Sequence, residues 1–169
     1  CGVPQRRERV FFCAVRDDIK APPLKLAPTS RWVTALEACR DVQDLTAAER
    51  LETVPNESHR KYWAATKPGK SFKDAAEKEN GKASFFSYFR LNAHTTTPTL
   101  SAAGHCPTHW GECRKLTFRE WKRLGTFPDD YKAESDQIGR YMIGMSVPPR
   151  MTEKVARAVC EQWLGVKAA

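Results

Sequence analysis

Apolar positions along the chain fall into short groups of differing period, and the period predicts the element. Residues 9–16, Arg-Val-Phe-Phe-Cys-Ala-Val-Arg, form an unbroken apolar run bounded by charge, the pattern of a short strand buried on both faces. A proline-rich joint follows at Pro22, Pro23 and Pro28. Trp32, Ala35, Leu36 and Cys39 recur at helical spacing behind Ser30, which predicts a short helix capped by that serine. Thr46 and Glu49 have capping-box spacing for another short helix. Residues 56–90 are polar and poor in core positions until Ser84-Phe85-Phe86-Ser87-Tyr88-Phe89-Arg90, which reads as a strand. Threonine, proline, glycine and histidine dominate 92–113, so a loop is expected there. Thr117 and Glu120 repeat the capping box and open a helix through about Leu124. Pro149 suits the first position of a closing helix, with Met151, Val155, Ala158, Val159 and Trp163 on its apolar side and Gly165 at its end. No internal repeat is present.

Composition narrows the class. A chain of 169 residues, 41% hydrophobic, can build one domain or two small lobes around a modest core. No apolar run approaches a membrane span. The N-terminus is charged at once and carries no secretory pattern, and position 1 is Cys rather than Met, as expected of a domain excerpt or a processed product. Six unevenly spaced cysteines do not form a disulfide framework; Cys13, Cys39 and Cys160 sit in apolar runs as small buried hydrophobes, and a reducing, cytoplasmic setting fits. The net charge of +8 and a pI near 9.3 point to a polyanionic partner.

Candidate chemistry gathers at the two ends. If Gln5 to Arg9 is extended, Arg7 and Arg9 project to one face about 6–7 Å apart, with Arg6 and Glu8 on the other. Two forked guanidiniums side by side suit a phosphate and a carbonyl oxygen. On spacing alone the segment reads rather as a solvated, charged entry to a strand. Near the other end, Gly144-Met145-Ser146-Val147-Pro148-Pro149 is a turn feeding a helix N-terminus, a seat for an anionic group or simply a proline-held helix start. Between them, Cys106-x-x-His109-x-x-x-Cys113 beside His105 has zinc-like spacing without a clear fourth ligand, so no metal is expected.

Three segments in order, Gly2-Val3-Pro4-Gln5-Arg6-Arg7-Glu8-Arg9-Val10, Arg114 to Asp129, and Ile143-Gly144-Met145-Ser146-Val147-Pro148-Pro149, resemble the eighth, ninth and tenth motifs of the bacterial and phage C5-cytosine DNA methyltransferases. The resemblance covers essentially the whole chain and sets the target-recognition region between the first two. It implies that Arg9 bonds the O2 of a flipped cytosine, that Arg7 fixes nearby phosphate and active-site groups, and that the Arg114–Asp129 segment braces the recognition region without doing chemistry. It implies that Gly144, Ser146 and Val147 line the S-adenosylmethionine pocket. Met145 departs from the usual Asn, which removes a polar contact. Pro98-Thr99-Leu100 resembles the Thr-Leu element near the DNA, and Lys82 and Arg90 are candidate contacts to double-stranded DNA.

The Pro-Cys nucleophile loop, the Glu-Asn-Val acid and the Phe-x-Gly-x-Gly cofactor loop of that family do not occur in the chain. The expectation is therefore an α/β or α+β fold: 1–17 carrying the Gln-Arg-Arg motif and a strand of the catalytic lobe, 18–113 as a small irregular recognition domain, 114–134 as the bracing helix, and 135–169 as the turn and helix returning to an incomplete Rossmann-like lobe. The segments at 10–15 and 150–164 should then present apolar surface to a missing N-terminal catalytic half, in the same chain or a separate subunit. A stand-alone DNA-binding or regulatory module descended from such an enzyme is the alternative.

Overall fold

The computed structural model describes every residue except 28–30, 43, 83, 86, 103–105 and 166–169. Seven helices and two strands occur among the described residues: α1 (Ala35–Ala38), α2 (Ala47–Glu52), α3 (Glu57–Ala65), α4 (Lys73–Asn80), β1 (Tyr88–Arg90), β2 (Cys106–Thr108), α5 (Phe118–Gly125), α6 (Asp136–Met145) and α7 (Pro149–Trp163). The fold is mixed α/β, with β1 and β2 parallel in the register Tyr88↔Cys106, Phe89↔Pro107, Arg90↔Thr108. No helix among the described residues is long and apolar enough to cross a membrane.

Several elements form where local chemistry places them. Both capping boxes are complete: Thr46 accepts from the Glu49 amide at the start of α2, Thr117 accepts from the Glu120 amide at the start of α5, and each glutamate reaches back to its cap. Proline opens α7, and Gly165 follows it in the left-handed conformation.

Other elements differ from expectation. Pro28 and Ser30 lie outside the described residues; α1 is capped instead by Thr34, whose hydroxyl accepts from Glu37, and Trp32 precedes the helix, largely exposed. Phe86 also lies outside the described residues, and the 84–90 strand shortens to Tyr88–Arg90 because Phe85, at φ +58°, leaves the extended region. The expected loop at 92–113 contains β2. Residues 9–16 form no strand: Val10 and Phe12 are 79% and 96% exposed, and among the described residues no neighbouring strand supplies the ladder bonds that a buried strand requires. Cys13 is exposed with them, whereas Cys39 is buried as expected. Helices α3, α4 and α6 arise in stretches whose apolar spacing does not announce them.

The main core joins α1, the residues flanking β1, and α5 and α6 through Ala35, Cys39, Phe89, Leu91, Leu100, Leu116, Trp121, Leu124 and Ile143. Helices α5 and α6 pack directly, and Gly139 of α6 admits the Phe118 ring where a Cβ would sit 2.3 Å from it. A smaller aromatic core of Tyr62, Phe72 and Ala76 lies between α3 and α4. Helix α7 buries Val155 and Ala158, and the 22–25 segment lies along it: Gln162 exchanges hydrogen bonds with the Lys25 backbone and the Trp163 indole donates to the Pro22 carbonyl at 2.7 Å. The apolar side of α7 is thus largely covered within the chain, unlike 9–16.

Candidate functional site

The N-terminal Gln-Arg-Arg segment docks against residues 97–100 by backbone pairing. Gln5 and Thr97 form a parallel bridge, the Arg6 amide donates to the Thr97 carbonyl at 2.8 Å, and the Thr97 amide donates to the Pro4 carbonyl at 2.9 Å. The Thr99 hydroxyl donates to the Arg6 carbonyl. Gln5, fully enclosed, extends the zipper through its side chain: its carbonyl accepts from the Leu100 amide and its NH2 donates to the Leu124 carbonyl, each at 3.2 Å.

Pairing in this extended form separates the two arginines of interest. Arg7 points inward and is buried, with Nη1 donating to the Leu100 carbonyl at 2.7 Å and Nη2 donating to the Gly144 and Ser146 carbonyls at 2.8 and 2.6 Å. Burial first, and the nearby Arg9 charge second, push its pKa down from the usual arginine value. Nη1 and Nη2 are thus turned to backbone carbonyls, while Nε has no acceptor among the described residues. Arg9 is exposed; its guanidinium donates to the adjacent Glu8 carbonyl at 2.6 Å and, with Arg6 and Arg31, lines an open cleft of about 800 Å³.

The turn after α6 lies at the far side of the Arg7 guanidinium. Gly144 is required there by close approach, because a Cβ would meet the Ala102 backbone nitrogen at 2.3 Å. The Ser146 hydroxyl donates to the Met142 carbonyl at 2.6 Å and retains acceptor capacity at the surface, next to exposed Met145 and Val147. The anion seat expected at the N-terminus of α7 is closed: the Arg150 amide donates to the Thr126 hydroxyl, and the Met151 and Thr152 amides return to the Pro148 carbonyl.

The candidate DNA contacts divide in the same way. Lys82 is exposed. Thr99 is partly exposed at the zipper, whereas the Leu100 side chain is completely buried in the main core and has no surface to offer DNA in this arrangement. Arg90 stacks over Trp63 at 3.7 Å and donates to the Trp110 and Thr66 carbonyls, so it holds the fold together rather than facing phosphates. Its aromatic neighbours are far away in the chain, and spacing carries no sign of them.

A buried polar knot behind α5 was not expected to extend beyond its capping box. Arg114 makes a two-pronged pair with Glu120, both bonds at 2.8 Å, and Glu120 has no exposed surface. His109 lies beside them with Nε2 3.7 Å from Glu120, while Nδ1 accepts from the Gly111 and Glu112 amides. Burial and the Arg114 charge push the His109 pKa down to about 4. In the zinc-like constellation the Nδ1 of His109 is therefore engaged by two backbone amides, burial raises the thiol pKa of Cys106 and Cys113, and His105 lies outside the described residues. Among the described residues no group of three or more His, Cys, Asp or Glu side chains is placed to hold a metal.

The sequence profile described as C-5 cytosine-specific DNA methylase matches residues 1–161. Similar curated proteins include the type II methyltransferase M.BbvI of Brevibacillus brevis, 29% identical over 177 residues that cover 98% of this chain and 47% of that protein. The type II methyltransferase M.NgoFVII of Neisseria gonorrhoeae is 29% identical, covering 94% of this chain and 46% of its own length. The type II methyltransferase M.AquIB of Picosynechococcus sp. is 35% identical over 92 residues, which are 47% of this chain and 66% of that protein. The chain spans about half the length of the first and second of these relatives.

Proposed function

Because the chain belongs to the C-5 cytosine-specific DNA methylase family, we propose that it is the C-terminal part of a DNA (cytosine-5-)-methyltransferase, carrying the target-recognition region of an enzyme that moves a methyl group from S-adenosylmethionine to C5 of cytosine in duplex DNA. The observation that carries this reading is the Arg7 clasp, which sets the Gln-Arg-Arg segment, the Thr99 loop and the Ser146 turn side by side although they lie 93 and 139 residues apart. A site closing over an extruded base and a methyl donor needs all three within reach of one another.

Within that site the exposed Arg9 guanidinium is free to turn from the Glu8 carbonyl to the O2 of an extruded cytosine, and Thr99 and Lys82 face a phosphate backbone. S-adenosylmethionine supplies the electrophilic methyl group when bound. The Ser146 turn fits as one wall of its pocket: the Ser146 hydroxyl, which donates to the Met142 carbonyl, keeps free acceptor capacity, and exposed Val147 offers apolar contact. Neither a Pro-Cys step nor Glu-Asn-Val occurs in these 169 residues, so thiolate attack on C6 and proton handling at N3 fall to a further segment, in the same polypeptide or in a partner subunit.

The test is transfer of labelled methyl groups to duplex DNA by this chain alone and by the chain joined to a segment bearing both missing motifs. The chain alone is expected to transfer none and the reassembled protein to transfer. A reassembled protein that binds a preferred duplex yet transfers nothing would instead identify a DNA-binding module.

A further inference from the structure

We infer that Arg7 is a positioning residue that makes the Thr99 loop and the Ser146 turn a single mechanical unit. Three carbonyls from two remote segments converge on one guanidinium, and a fork with fixed geometry holds them at fixed separation. The contact beneath it is equally close: the backbone at Ser101–Ala102 lies directly on Gly144, within 2.6 Å of where a Cβ would stand. Gln5 ties the same loop to α5 by accepting from the Leu100 amide and donating to the Leu124 carbonyl. Neither segment can move without breaking bonds to buried Arg7, whose Nε has no acceptor among the described residues and whose charge is compensated only by carbonyl dipoles. The two segments are the ones assigned above to DNA and to the methyl donor; resting on that reading, the clasp couples the two ligands, so that ordering one segment on its ligand favours the other, and reciprocally.

Hydrogen exchange on the full chain, without either ligand, tests the clasp separately from the function. Amides at 99–102 and 144–147 are followed in the natural protein, Arg7→Met and Arg7→Lys. Both segments are expected to exchange at least tenfold faster together in both variants, with α3 and α4 unchanged, because a lysine presents one point charge and cannot span three carbonyls. Acceleration in one segment alone, or protection fully retained in Arg7→Lys, overturns the inference. Should Arg7→Met not fold, the natural protein in a denaturant series carries the test: the segments must open with the same free energy and the same denaturant dependence, and two separate openings would refute the clasp. A chain that binds no DNA would count against the functional reading and leave the clasp standing.

Discussion

At the scale of single residues, buried charge dominates. The Arg114–Glu120 pair is enclosed on both sides, and Glu120 also receives the Thr117 amide and hydroxyl. Removing one member of such a pair strands the other in a low-dielectric interior, so Glu120→Ala is expected to lower stability by about 3–5 kcal/mol in a denaturant titration. His109 gives a pH dependence of defined sign. Its pKa is pushed down to about 4 in the folded chain from an ordinary 6.5, so the unfolded chain binds the proton more tightly. Stability is therefore full above about pH 6.5 and is lost as the pH falls toward 4. His109→Asn, which does not titrate, should flatten that slope in denaturant midpoints measured from pH 7 to 4. A residual slope of the same sign comes from His59, whose pKa burial lowers as well, and, toward pH 4, from Glu49 and Glu112, whose carboxyls are held below their usual range, Glu49 by Arg119 and, against the opposing effect of burial, Glu112 by Arg114.

At the scale of elements, α6 shows local preference yielding to packing. Two glycines lower its helical propensity, yet both are where neighbours come closest: Gly139 against the Phe118 ring of α5, Gly144 against the 101–102 backbone. Gly139→Ala should gain about 1 kcal/mol of propensity and lose more from overpacking, roughly 1–3 kcal/mol or above, for a net loss of stability. Adding Phe118→Leu should restore part of that loss in thermal or chemical denaturation, since the colliding atoms lie at the far end of the Phe118 ring. A Gly139→Ala chain more stable than the natural protein would mean that α5 and α6 do not pack as described.

At the scale of the whole molecule, the 9–16 segment is an exposed apolar feature that the other described residues leave uncovered. Val10 and Phe12 are exposed beside Arg9, while α7 has its own cover from residues 22–25. Self-association of the chain is expected, and Val10→Thr with Phe12→Ser should reduce it in sedimentation velocity while changing stability by less than about 0.5 kcal/mol, because neither side chain contributes to the core. Equal sedimentation of the two proteins would show that this segment drives no contact. The net charge of +8 carries a second prediction: the duplex DNA binding proposed above should weaken steeply with salt. Lys82→Ala should reduce the salt slope of that binding by about 1, whereas Arg90→Ala should act on stability through its lost Trp63 stacking and carbonyl bonds.

What the sequence determined by itself is whatever depends on neighbours a few residues apart. Thr46 with Glu49, Thr117 with Glu120, and Pro149 ahead of its apolar stripe specify helix starts through contacts made within one turn, and the sequence as a whole carries the family. Tertiary structure alone decided what each polar side chain faces. Arg7 and Arg9 are two residues apart and alike in sequence, yet one is buried on carbonyls from positions 100, 144 and 146 while the other faces solvent. Arg90 is basic like Lys82 but finds Trp63 and two carbonyls, and Leu100 looks surface-bound in a Thr-Pro-Thr-Leu stretch but fills the core. Helix α3, with only His59 and Tyr62 buried, and β2, within a threonine- and proline-rich stretch, owe their form to partners distant in the chain. The physical reason is range: a cap closes within one turn, whereas the acceptors that turn an arginine inward, and the strand that extends its neighbour, are supplied by residues tens of positions away.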